Sequence, residues 1–276
     1  MKYKHLLAFS ICLMFFQAFS QDTLTFRVHY MPEKVYRQTL NQTNKISIQY
    51  LGTEEFLQKL KESGITNPIE QSTSAISEMV LETGKLNDEN YFPLTMRFLK
   101  MPSEEVKKLI GDSLVIYGRG TIDSMPKLDS IVSTGTDSDF KNLLLGTLQS
   151  TFSQIDFPVK KLKVGGSFVH ETPFVIPLGN FSMDMMLHST YKLLSIEDNT
   201  GTFDITQIYT VKSDIAGAEM KASGKGTGKL LYDVNDKFVS KMDTDNILDM
   251  NMNIRGVNTV MKMEMKISQT VKISKN

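Results

Sequence analysis

The sequence predicts a mainly β fold of the α+β class: a curved antiparallel sheet, half-barrel-like, partly wrapped around one long amphipathic helix, with short helices beside it. Three observations predict it. Apolar and polar residues alternate with period two along most of the chain. The alternation is longest over residues 248–273, which requires a strand buried on one face only, and hence antiparallel pairing. Residues 137–155 instead repeat apolar side chains at the 3.6-residue helical period.

The chain opens with Lys2 and Lys4, an apolar run over residues 6–16 and the exit pattern Ala18-Phe19-Ser20. That is the layout of a secretory signal peptide cut before Gln21. The expected organisation is a leader, 1–20, and a single mostly antiparallel β domain, 21–276, with a candidate internal boundary at 133–139. The leader's apolar run is shorter than the ~20 residues of a spanning helix. No later segment approaches that length, so no transmembrane span is expected in the mature chain. Cys12 is the only cysteine, and Phe9-Ser10-Ile11 before it puts a bulky residue where acylation of Cys12 would need a small one. It is expected to leave with the leader, so the mature chain has no disulfide, thiolate metal site or cysteine nucleophile. Basic and acidic residues balance at 31 each, slightly acidic once Lys2 and Lys4 are gone. With no basic face or tail, nucleic acid is not an expected partner.

Taken in order, Leu24, Phe26 and Val28 alternate with Thr25, Arg27 and His29 in a first strand that leaves His29 exposed. Met31-Pro32-Glu33-Lys34 reads as a turn and residues 35–40 as the returning strand. Ile46, Ile48 and Tyr50 alternate again. Thr53 as N-cap, Glu54 and Glu55 in the first turn, and Phe56, Leu57 and Leu60 on one face predict a short helix ending near Ser63-Gly64. Residues 69–83 and 92–99 are strands, separated by the polar turn 87–90. Ser103 caps a second short helix with Val106, Leu109 and Ile110 inward. Residues 114–122 form a strand and 124–134 an irregular crossing. The long helix carries Phe140, Leu143, Leu144, Leu148, Phe152 and Ile155 in one stripe. Gly146 costs it ~1 kcal/mol relative to Ala, so burial must stabilise it.

After Pro158 only strands and turns are expected. Asn199-Thr200-Gly201 joins 191–196 to 203–211 as a hairpin. The segment 224–228, with Gly224, Gly226 and Gly228, reads as a hairpin loop. Asp233-Val234-Asn235-Asp236 turns into 237–242. The last hairpin runs over 248–254 and 257–273, turning at Arg255-Gly256.

The stretch Phe157-Pro158-Val159-Lys160-Lys161-Leu162-Lys163-Val164-Gly165-Gly166-Ser167-Phe168 resembles a "proline, then V-x-V-G-D-S-W" step. That step marks a family of exported bacterial proteins of unknown function, of Bacteroidota type. Gly166 stands where an acid is usual and Phe168 where Trp is usual. Members begin with a signal peptide and an early strand pair and close with Gly-rich hairpins like the one expected at 224–228. The likeness covers most of the mature chain in layout. It implies export to the periplasm, with an extracellular location as the alternative, and no known catalytic residue. The expected sheet-around-helix shape is similar to that of periplasmic lipoprotein carriers, a likeness of fold alone.

The residues offer little chemistry. His29, His170 and His188 remain after the leader's His5 is lost. A metal site would need His170 and His188 to converge with Glu171 or Asp184, which no spacing demands. Gly165-Gly166-Ser167-Phe168-Val169 misses G-x-S-x-G at its fifth position, and Ser240-Lys241 and Ser274-Lys275 are not S-x-x-K. Gly224, Gly226 and Gly228 lack the strand-to-helix setting of a dinucleotide fingerprint. Asp243, Asp245 and Asp249 lack EF-hand spacing and read as a solvated loop. No enzymatic activity, metal or cofactor is therefore expected.

The methionines remain. There are 17, and no Trp. They fit either a Trp-free core or an adaptable cleft. The cleft would draw Phe140, Leu144, Leu148 and Phe152 from the helix and Met250, Met252, Met261, Met263 and Met265 from the last hairpin, and would take an acyl chain or other apolar ligand. The expected function is an exported, non-enzymatic envelope protein that binds or carries a lipid or other apolar ligand. The alternative is a structural or interaction protein with a packed core, partnering an envelope protein. A hydrolase or metalloenzyme is a third reading, supported by the fewest residues.

Overall fold

The computed structural model describes residues 23–111, 114–133, 138–154, 156–178, 181–211, 218–254 and 257–276. The expected leader with Cys12, the residues Thr136 and Asp137, Ile155 and the Arg255-Gly256 turn lie outside them. In chain order the elements are β1 (Thr23–Phe26), β2 (Lys34–Leu51), α1 (Glu54–Glu62), β3 (Ile69–Thr83), β4 (Tyr91–Lys100), α2 (Glu104–Ile110), β5 (Val115–Thr121), β6 (Lys127–Val132), α3 (Ser138–Gln154), β7 (Lys160–Lys163), β8 (Ser167–Leu178), β9 (Phe181–Glu197), β10 (Thr200–Val211), β11 (Ala218–Asp233), β12 (Phe238–Ile254) and β13 (Val257–Lys275). The fold is mainly β. An open eleven-stranded sheet runs β6-β5-β4-β3-β2-β13-β12-β11-β10-β9-β8, antiparallel throughout, and β1 pairs with β7 in a separate two-stranded sheet.

The period-two reading of the last hairpin holds. On β12, Thr244, Asn246, Leu248, Met250 and Met252 are buried, while Asp245, Ile247, Asp249 and Asn251 are exposed. The strand registers carry this division across the sheet, giving it an inner and an outer face. Both short helices begin where the caps predict. The Thr53 hydroxyl accepts from the Phe56 N–H at 3.3 Å and Ser103 from the Val106 N–H at 3.2 Å, each satisfying an orphan helix donor. Asp198 and Asn199, both at positive φ, make the β9–β10 turn, one residue earlier than expected.

Four expectations are corrected. β1 does not pair with residues 35–40; it pairs with β7, Phe26 opposite Lys160. Residues 35–40 and 46–50 belong to one strand, β2, because β13 and β3 pair with it along nearly its whole length. The irregular crossing at 124–134 contains β6, the sheet's edge. Gly224, Gly226 and Gly228 lie inside β11, not in a loop.

Two apolar clusters form on the inner face. The larger is aromatic at its centre. Phe26, fully buried, meets Phe157, Phe168, Phe203 and Tyr232 at ring-centroid distances of 4.8–5.5 Å. Such rings each contribute roughly 1.5–3 kcal/mol on burial. Tyr232 also keeps its polar end matched, since its hydroxyl accepts from the Arg27 N–H (3.2 Å) and donates to the Arg27 carbonyl (2.8 Å). Helix α3 joins this cluster through buried Phe152 and through Phe140, Leu144 and Leu148 packed against it. The helix is tied to the edge strand by Gln149. Its Oε1 accepts from the Leu128 N–H (2.7 Å) and its Nε2 donates to the Pro126 carbonyl (3.2 Å). The smaller cluster holds Met185, Tyr209, Leu248, Met250 and Met261.

Candidate functional site

The nine residues of the expected cleft fall into separate places. Phe140, Leu144, Leu148 and Phe152 belong to the aromatic cluster under α3. Met250 and Met261 belong to the methionine cluster, with Met263 packed against it. Met252 is buried on the same face, and Met265 accepts a long contact from Gln42 Nε2 (3.8 Å). The two sets face the same side of the sheet but occupy different clusters. Among the described residues, every one in or against the methionine cluster comes from a strand.

A polar row separates the clusters. Register places His170, Ser189, Gln207, Gly226, Asn246, Met265 and Asn44 side by side across seven strands. One row toward α3 lie Phe168, Tyr191, Ile205, Gly228, Thr244 and Ile267. One row the other way lie Leu187, Tyr209, Gly224, Leu248, Met263 and Ile46. Gln207 and Asn246 are 7% and 4% exposed. Gln207 Nε2 donates to Ser189 Oγ (3.0 Å) and Asn246 Nδ2 to Thr244 Oγ1 (3.3 Å). Their carbonyl oxygens, Gln207 Oε1 and Asn246 Oδ1, have no hydrogen-bond partner among the described residues. A buried acceptor left in that state costs about 1–3 kcal/mol. The space bounded by Tyr209, Asn246, Leu248, Met263 and Met265 is about 10 Å³.

Neither amide was singled out from sequence. The signal was present: Gln207 sits between Ile205 and Tyr209, and Asn246 two residues before Leu248, at the parity that otherwise faces the core.

The histidines do not converge. His170 faces inward, its ring 4.9 Å from that of Phe157. His188 faces outward, with Nδ1 3.2 Å from Glu171 Oε1 and Nε2 3.1 Å from Thr210 Oγ1. The three outward side chains form a solvent-accessible cross-strand ladder. Among the described residues no three His, Cys, Asp or Glu side chains gather as a metal site needs. His29, expected to be exposed, is buried at 4% exposure, because the segment that follows β1 packs into the large cluster through Val28 and Tyr30 on either side of it. Its Nδ1 has no partner among the described residues. Burial, followed by the charges of Arg27 and Lys237, holds its pKa below 6.5.

Asp243, Asp245 and Asp249 lie on the outer face of β12 rather than in a loop. Strand pairing sets them opposite Ser268, Lys266 and Lys262. Asp243 accepts from Ser268 Oγ (2.6 Å) and pairs with Lys241 (2.9 Å); the Ser268 bond is the main cause holding its carboxyl below the usual range. Around them an open valley of about 680 Å³ crosses from β2 to β10, lined by polar side chains such as Thr43, Thr206 and Thr227.

The chain matches no family model and no curated protein. Among solved structures it is similar to the type IV competence pilus secretin PilQ of V. cholerae at 9% identity and a TM-score of 0.17, over 98% of this chain. The chain spans 65% of the length of that secretin chain. A likeness this slight carries no argument about fold or function.

Proposed function

We propose that this chain is an exported, non-enzymatic binding or carrier module that takes a lipid or other apolar ligand at the methionine end of its inner face. The architecture proposed with it is a curved, half-barrel-like sheet that partly wraps α3. One observation carries the reading: α3 packs on the aromatic cluster, whereas among the described residues the methionine cluster is surrounded by strands alone. Methionine is unbranched, polarizable and able to repack, which suits a site of variable shape. The proposed setting is the cell envelope, periplasmic or else extracellular.

A second reading has its own support. The space beside Leu248, Met263 and Met265 is about 10 Å³, room for roughly one water. A core packed this closely fits a structural or interaction protein that partners another envelope protein.

Titration of the purified exported chain with the apolar dye N-phenylnaphthylamine, followed by displacement with lauric acid, separates the two. Ligand binding predicts saturable fluorescence and weakening of about tenfold in Met263→Glu, a change that places a charge beside the cluster. No saturable signal leaves the packed interaction protein as the reading.

A further inference from the structure

The row of polar side chains between the clusters is not explained by core packing. A sheet face closed only by apolar contacts would gain nothing from Gln207 and Asn246, and each leaves an acceptor oxygen unmet within the described residues. The two residues stand on either side of Gly226, on β10 and β12. The Asn246 amide leans over that glycine toward β10, occupying the volume a Cβ would fill. Gln207 is held from behind by Ser189. Both amides are more than nine-tenths buried. Asn246 also borders the small space shared with Tyr209, Leu248 and Met263. Two acceptors therefore adjoin an apolar end whose methionine side chains can move aside.

We infer that Gln207 and Asn246 form the seat for the head group of an amphiphile, a head that donates hydrogen bonds through an amide N–H or a hydroxyl, with its tail among the methionines. This rests on the apolar-ligand reading and narrows it: donor-bearing amphiphiles are selected over esters and hydrocarbons of the same chain length. The chemistry is that of a missing partner. A site with buried acceptors favours the ligand that supplies donors and rejects the analogue that leaves them unpaired. A water can meet the same acceptors, so a selected ligand must supply donors of its own.

The test uses two probes on the exported chain, dodecanamide, which has N–H donors, and methyl laurate, which has none. Each displaces N-phenylnaphthylamine in a fluorescence titration. Dodecanamide is expected to act at about tenfold lower concentration than methyl laurate. The combined Gln207→Leu, Asn246→Leu variant is expected to lose that preference while still binding methyl laurate. Leucine has the branching of asparagine and removes the unmet acceptors, and far-UV circular dichroism checks that the variant folds. Equal displacement by both probes on the unaltered chain overturns the inference without any variant. A preference that survives both substitutions overturns it too, since the donors would then be met elsewhere. Displacement by neither probe overturns the apolar-ligand reading together with the seat. That outcome is distinct from failure of the seat alone, in which methyl laurate still displaces the dye.

Discussion

Asn246 and Gly226 sit directly opposite each other on β12 and β11, and the asparagine amide occupies the space where a Cβ on residue 226 would stand. The neighbouring glycines repeat the relationship. A Cβ at Gly224 would stand 2.6 Å from Leu248 Cδ1 and 3.0 Å from Tyr209 Cδ2, and one at Gly228 would stand 2.9 Å from Thr244 Cγ2. The glycines in β11 are therefore a demand for space, imposed at 224 and 226 chiefly by side chains that reach across from β10 and β12, and at 228 chiefly by the Asp243 carbonyl oxygen of β12. Neither a turn nor a left-handed backbone requires them here.

Gly226→Ala is expected to lower stability by about 1–3 kcal/mol, the cost of overpacking, although alanine is the better strand residue. Adding Asn246→Ala should recover more than half of the loss, because the clash and its partner vanish together. Urea unfolding of the two single variants and the double variant measures the coupling. An unchanged midpoint in Gly226→Ala would falsify the crowding argument.

His29 should make stability depend on pH. Its folded pKa lies below the ordinary 6.5 because burial and nearby Arg27 and Lys237 disfavour the imidazolium. The unfolded chain therefore takes up the proton first. Stability is full above pH about 6.5 and declines as pH falls from there through the folded pKa. In His29→Gln that part of the decline should disappear. Urea midpoints measured at a series of pH values check this, and identical slopes in the two proteins would refute it.

Gln149 stands in for a neighbouring strand at the β6 edge. Its side-chain amide meets the Leu128 N–H and the Pro126 carbonyl much as a peptide group would. Gln149→Leu should destabilise by about 1–2 kcal/mol and speed hydrogen exchange at the Leu128 amide, with exchange elsewhere in the sheet nearly unaffected. Glutamate at 149 keeps the acceptor and loses the donor, so Leu128 protection should survive in part. Equal exchange rates at Leu128 in all three proteins would show that the edge is protected by something other than this side chain.

Much of this architecture was legible from local pattern. The caps at Thr53 and Ser103, the strand at 69–83 and the last hairpin appear where alternation and capping chemistry place them, since each signal lies within a few residues of its effect. The middle of β2 was not legible. Asn41, Gln42, Thr43, Asn44 and Lys45 are polar at both parities, so no period marks them as strand, and pairing with β13 and β3 on either side holds them extended. β6 is short and carries Ser130 and Asp129 among its apolar residues, which hid it in the same way. The glycines of β11 read as a turn because glycine normally marks one, and only the partners of that strand show why side chains are excluded.

The candidate site divides along the same line. The sequence by itself determined which residues are apolar and that the last hairpin turns its methionines to one side. Tertiary structure decided that the helix and the methionines serve different clusters, that His170 and His188 face opposite ways, and that Gln207 and Asn246 end up buried in one row. The reason is range. Parity and capping act within one element, whereas burial of a polar group depends on which strands become neighbours and in what register, and those neighbours lie far away along the chain.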